Sequence, residues 1–246
     1  MEPIIEVEQA AKLHRNGRGI RDISITVYRG DIFGLFGPNG AGKTTLLKLI
    51  TGLCAPDRGN VRLFGHPVAE RFEQAMKRVG CLIETADAYE YMSAYDQMRM
   101  AARFYPDLPA GRIAETLECV GLTPYAHEKV RNYSLGMKQK LAIALALLSE
   151  PELVILDEPT NGLDIEGRVE FRNLVWRLAR EKGIAFLISS HLIQEMERQC
   201  NRIGILYGGS LIRQGTMEEL TGEGQTSLEQ LYLSEIQQAK GSAAHA

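Results

Sequence analysis

Gly37-Pro38-Asn39-Gly40-Ala41-Gly42-Lys43-Thr44-Thr45 decides how this chain is read, because it fits the pattern G-x-x-x-x-G-K-S/T and follows an apolar, strand-like run from Asp31 to Phe36. Glycine at 37, 40 and 42 lets the backbone curl until consecutive N–H groups face inward. A helix predicted from Thr44 to Thr51 adds the positive end of its dipole to that nest. A glycine-rich loop can meet such a pattern by chance, but a strand before it and a helix after it make it a phosphate cradle. Its occupant is then a nucleoside triphosphate, with Lys43 reaching the β- and γ-phosphates and the Thr44 hydroxyl on Mg²⁺.

Upstream of the loop, Ile4 to Glu8 and Ile23 to Val27 alternate apolar and polar residues, as half-exposed antiparallel strands do. Downstream, Gly52 can cap the loop helix, and Pro56-Asp57-Arg58-Gly59 is a turn into a strand Val61 to Phe64. From about Ala88 to Glu150 the pattern becomes helical, over Ala94 to Phe104, Gly111 to Val120 and Leu135 to Ser149. Strands return at Leu153 to Leu156 and Ala185 to Ser189, with a helix Glu166 to Glu181 between them, closed by Gly183. That β-α-β alternation implies parallel strands. Arg202 to Tyr207, Gly208-Gly209-Ser210 and Leu211 to Arg213 read as a hairpin, and the tail beyond Gly222 as a weak helix with a frayed Gly-Ser-Ala-Ala finish. The expected class is α/β: a mostly parallel core sheet, an N-terminal antiparallel β layer and a helical subdomain, over residues 1–222, followed by a tail, 223–246.

Leu153-Val154-Ile155-Leu156 runs into Asp157-Glu158, which places two acids at the carboxyl end of a strand buried on both faces, where ligands of open α/β sheets sit. Asp157 would take Mg²⁺ directly or through water, and Glu158, pointing elsewhere, could polarise the water that attacks the γ-phosphate. The competing reading is a pair of solvated turn acids before Pro159. His191 follows another apolar strand and would emerge on the same sheet edge, able to donate to the γ-phosphate or to serve only as a structural histidine. Ser134, in Tyr133-Ser134-Leu135-Gly136-Met137-Lys138-Gln139, is placed as the N-cap of a long helix. Ser134, the Gly136 backbone and that helix end could also bind phosphate, but lying in the helical insert they cannot reach this chain's own loop, so a second chain would complete the site.

The formal net charge of −3 over 246 residues, with no lysine and arginine cluster interleaved with aromatics, disfavours nucleic acid. The longest apolar run, Leu141 to Leu148, falls far short of the roughly 20 residues of a spanning helix, and the acidic start is no signal peptide. Cys54, Cys81, Cys119 and Cys200 form no Cys-x-x-Cys pair, so they read as reduced, buried thiols of a cytoplasmic chain.

In this order the motifs resemble the nucleotide-binding subunit of an ABC transporter, over nearly the whole chain. Gly37 to Thr45 corresponds to the phosphate loop, Ser134 to Gln139 to a variant of the signature helix start, Leu153 to Glu158 to the Walker B strand, Asn161-Gly162-Leu163-Asp164 to the D-loop and His191 to the switch histidine. The resemblance implies two cassettes head to tail, as a homodimer or a mixed pair, each ATP held between one chain's loop and the other's Ser134, Gly136 and Asp164. It implies ATP and Mg²⁺ as cofactors, Glu158 and His191 as catalytic residues, and a separate integral-membrane permease served from the cytoplasmic face.

Two positions depart from the commonest pattern. Gly80-Cys81-Leu82-Ile83-Glu84 ends in Glu where most cassettes carry a metal-touching Gln, which puts a carboxylate beside Thr44 and Asp157 as a metal ligand. With Tyr-Ser-Leu-Gly-Met-Lys, Glu84 resembles exporters that protect bacteria from bacitracin-like and lantibiotic peptides; an ordinary surface glutamate is the alternative. The adenine-stacking aromatic is replaced by His14. Rival functions are a soluble cassette ATPase acting on DNA or ribosomes, whose long coiled coil or second cassette is missing here, and a regulatory ATP-binding module without turnover, against which Glu158 and His191 argue.

Overall fold

A computed structural model describes residues 2–84, 88–222 and 224–243, with the side chains of 238–243 left aside. Strands β1 (Pro3–Leu13) and β2 (Gly19–Tyr28) pair antiparallel; Ile23, Ile25 and Val27 of β2 are buried in alternation, as the sequence predicts, whereas in β1 the neighbours Ile4 and Ile5 are both buried. Strand β3 (Ile32–Phe36) is buried throughout and runs into the phosphate loop and helix α1 (Lys43–Ile50). Strands β4 (Arg58–Leu63) and β5 (His66–Pro67) complete a four-stranded sheet in the order β2-β1-β4-β5.

The short helix α2 (Phe72–Met76) and strand β6 (Val79–Leu82) follow; neither is evident in the sequence, since five and four residues are too few to reveal a period. The helical insert holds α3 (Ala94–Ala102), α4 (Arg112–Cys119) and α5 (Leu135–Leu147), each inside its expected span. Strand β7 (Leu153–Asp157), helix α6 (Ile165–Lys182), strand β8 (Ala185–Ser190) and helix α7 (Ile193–Gln199) give the β-α-β core, and Gly183 closes α6 in the left-handed conformation. The hairpin β9 (Arg202–Tyr207) and β10 (Ser210–Thr216) leads to α8 (Met217–Thr221), capped by a Thr216–Glu219 capping box, and to α9 (Leu228–Ala243). The expected fraying at Gly241 to Ala244 falls partly outside the described residues.

The larger sheet has the order β10-β9-β3-β8-β7-β6, parallel except for β10. Its two faces bury alternate residues of the same strands. Phe33, Leu35, Leu153, Ile155 and Leu187 meet α1 and the smaller sheet, while Val154, Leu156, Phe186 and Ile188 meet a second core shared with the helical insert, α6, α7 and Leu228. Helix α1 is thus clamped between sheets by Leu46, Leu47, Leu49 and Ile50. At roughly 1.5–3 kcal/mol per buried side chain, four such residues hold the helix that carries Lys43 and Thr44 firmly to the sheet.

Candidate active site

Burial of β3 on both faces brings the loop out at the carboxyl edge of the sheet, with Asn39 and Gly40 exposed at its tip. Gly40 and Gly42 take φ of 80° and 107°, values that L side chains rarely adopt, and a Cβ on Gly42 would lie 2.5 Å from Ile20 Cγ2. The loop is tied at both ends. The Gly37 N–H donates to Ser190 O at 3.3 Å, and the Gly209 N–H, from the β9–β10 turn, donates to Ala41 O at 3.2 Å. Gly42 caps helix α1 without a side-chain hydrogen bond, and the helix carries no acid in its first turn, so its positive end has no anionic partner within the helix itself and suits an anion.

Lys43 is buried, and its ammonium donates to Gly37 O at 2.7 Å and Pro38 O at 3.4 Å while standing 3.0 Å from Glu158 Oε1. The other carboxylate oxygen of Glu158 accepts from His191 Nδ1 at 2.8 Å, which leaves His191 Nε2 for another partner. Three motifs far apart in the chain therefore meet at one carboxylate. Asp157 has a different partner: its Oδ1 accepts from the Ser189 hydroxyl at 2.5 Å, and Ser189 Oγ accepts from the Glu158 N–H at 2.9 Å. Ser189 thus sets the angle between the two acids, with Glu158 at φ 48°. Its role is invisible in sequence because it faces β7 only through strand pairing.

His14 lies beyond the end of β1, with Nε2 3.4 Å from Thr45 Oγ1, so it borders the loop helix. That strand end is anchored by Asp57, whose carboxyl is held below the usual range by the Leu13 N–H and the Lys12 ammonium, both at 2.8 Å. Glu84 pairs at 2.5 Å with Lys48, one turn beyond Thr44 on α1. Thr44 and Asp157 are hard oxygen donors that fit a divalent cation, and among the described residues no three His, Cys, Asp or Glu side chains form a closed cage. A cation here would take its remaining oxygens from phosphates or water.

Ser134 and Gly136 are not brought to the phosphate loop. With Asp164 they line a separate cleft of about 750 Å³ between the helical insert and α6. Ser134 caps α5 through the Met137 N–H at 3.2 Å, as expected, and Asp164 caps α6 through the Gly167 N–H at 2.8 Å. The turn before Asp164 is held by residues that sequence reasoning did not single out. Thr160 Oγ1 donates to Glu195 at 2.6 Å, and Arg168 bonds Leu163 O at 3.0 Å and pairs with Glu195 at 3.2 Å.

A phosphate-shaped loop on a helix without a side-chain cap, with two acids and a histidine on the same sheet edge, defines a nucleoside-triphosphate-hydrolysing cassette. The chain belongs to the ABC transporter family, whose model matches residues 20–161. It is 42% identical to an uncharacterized ABC transporter ATP-binding protein, YhcH, of Bacillus subtilis (strain 168), over 86% of this chain and 70% of that protein. It is 39% identical to the bacitracin transport ATP-binding protein BcrA of Enterococcus faecalis, over 89% and 71%. A solved ATP binding subunit of an ABC transporter superimposes with a TM-score of 0.84 at 30% identity, covering 95% of this chain and 99% of that one. The chain is an ATP-binding subunit of this family, which hydrolyses ATP to power transport. Among the described residues no helix is long and apolar enough to cross a membrane.

Proposed function

We propose that this chain drives export of a peptide antibiotic, drug or lipid-like molecule through a separate integral-membrane permease, working as one of two paired cassettes on the cytoplasmic face of the membrane. The observation that carries the chemistry is the convergence of Lys43, Glu158 and His191, with contacts of 3.0 and 2.8 Å on one carboxylate. Phosphates bound in the loop compete with Glu158 for the Lys43 ammonium. Once they take it, Glu158 Oε1 has lost its cation and is free to accept the proton of the attacking water. To donate from Nε2 to the γ-phosphate, a neutral His191 carries its proton there and gives up the Nδ1–H bond to Glu158 Oε2.

Thr44, Asp157 and Glu84 would hold Mg²⁺, which neutralises charge on the β- and γ-oxygens when bound. Holding Glu84 toward that metal requires it to leave Lys48. His14 beside Thr45 suits stacking on the nucleotide base. Because Ser134, Gly136 and Asp164 line a different cleft from the loop, they suit the ATP of a partner cassette. ATP then contacts two chains only in the closed pair, and this differential binding closes the pair; loss of the γ-phosphate opens it.

The exporter assignment is supported by the likeness to a bacitracin transport ATP-binding protein and by Glu84 together with the Tyr133-to-Lys138 signature. It is tested by purifying the tagged chain from detergent-solubilised membranes of its own host and by deleting it there. A multi-spanning protein should accompany it, and the deleted strain should become more sensitive to bacitracin-like peptides. Recovery with ribosomes or DNA and without any membrane protein would overturn the assignment.

A further inference from the structure

We propose that the C-terminal helix α9 is a positioning element of the nucleotide site, and that Tyr232 is its positioning residue. The inference rests on the reading of Gly37 to Thr45 as the nucleotide cradle. Sequence alone makes this segment a weak helical tail, yet Leu228 at its start is fully buried in the larger core, and Leu231 and Tyr232 pack on the same core. The Tyr232 ring meets Phe36 edge to face, with centroids 4.9 Å apart and planes at 84°. Phe36 is the last residue of β3 and is bonded directly to Gly37, the first residue of the loop.

Two further contacts lead to the same site from other directions. The Leu228 N–H donates to Glu197 Oε1 at 3.1 Å, and Glu197 belongs to α7, the helix that starts two residues after His191. Glu235 stands 3.7 Å from Arg213 of β10, the strand that follows the turn whose Gly209 N–H holds Ala41 O. Helix α9 therefore touches the strand that delivers the loop, the helix that follows the histidine and the hairpin that tethers the loop, without itself entering the site. A core-covering helix needs only apolar contact with the sheet; contacts with each of these three segments are what a brace for the loop requires.

The test compares Tyr232→Ala, Tyr232→Phe and Leu117→Ala in the full chain. Leu117 is buried on α4 of the helical insert, in the same core as Phe36 and Tyr232 but outside β3, α7 and the β9–β10 hairpin, and serves as a destabilised control. Three quantities are read: the unfolding midpoint, the ATP dissociation constant and amide exchange over residues 37–45. Tyr232→Ala should weaken ATP binding about tenfold, since loss of alignment by even ~1 Å is felt strongly at a preorganised site, and should speed exchange in the loop. Tyr232→Phe, which keeps the ring, should match the native chain, and Leu117→Ala should lose stability with native ATP affinity. The proposal is overturned if Tyr232→Ala binds ATP as the native chain does, or if Leu117→Ala loses as much affinity. Failure of the native chain to bind ATP would overturn the cradle assignment, and this proposal with it; native binding with an unaffected Tyr232→Ala overturns the proposal alone.

Discussion

Replacing Glu158 by Gln should tighten ATP binding while nearly abolishing its hydrolysis. Before nucleotide arrives, the Lys43 ammonium lies 3.0 Å from Glu158 Oε1, with Lys43 6% exposed and the Glu158 side chain 22% exposed. At an effective dielectric constant of about 20 this is a gross attraction of roughly 5–6 kcal/mol, and its net worth as a charge-assisted hydrogen bond is about 1.5–3 kcal/mol. Gln keeps a neutral acceptor at about half that strength. Bound phosphates then displace a contact weaker by roughly 0.7–1.5 kcal/mol, which corresponds to about 3–12-fold tighter binding. Removing a negative charge from beside the γ-phosphate acts in the same direction. Hydrolysis should fall by about 10²–10⁴, the usual contribution of a positioned base. Calorimetric titration with Mg²⁺ and ATP in a Ser134→Arg background, which prevents pairing from inflating the apparent affinity, measures the binding effect. Affinity unchanged within about twofold, or weaker, would refute the competition for Lys43.

Lys43→Ala should lose most ATP affinity, because the phosphates lose their main cationic partner and Glu158 is left near them uncompensated; the same titration reads it. Arg112→Met should lower chain stability by about 2–4 kcal/mol in a denaturant titration, since the buried guanidinium donates to Leu147 O and Leu148 O at the end of α5 and both bonds vanish. Cys200 should resist a thiol reagent until the chain unfolds, because burial pushes its thiol well up and keeps the reactive thiolate scarce. Labelling of all four cysteines in the native chain at neutral pH would contradict that burial.

The parts of the site legible in the sequence are those in which spacing along the chain is itself the signal. The phosphate loop, Asp157, Glu158 and His191 each end an apolar run, and such runs become buried parallel strands whose carboxyl ends share an edge. The helix start at Ser134 was legible for a similarly local reason, a short polar side chain one residue before a helix, whereas the cap at Asp164 was not singled out and the helix it starts was expected one residue later, from Glu166. The rest depends on contacts between distant segments. Ser189 acts through its register opposite Asp157, Gly209 through a hairpin turn folded against Ala41, and Tyr232 through an aromatic edge on a residue nearly 200 positions earlier. Strand β6 was hidden because four residues carry no period, and its pairing with β7 supplies what local pattern lacks.

The most direct test of the composite, nucleotide-closed cassette pair is light scattering on purified Glu158→Gln with Mg²⁺ and ATP, with Ser134→Arg added as the control. The predicted result is a dimer that forms only with ATP and disappears in the double variant. A Glu158→Gln protein that binds ATP and stays monomeric, or a dimer indifferent to Ser134→Arg, would contradict the assignment of Ser134 and Gly136 to the partner's nucleotide.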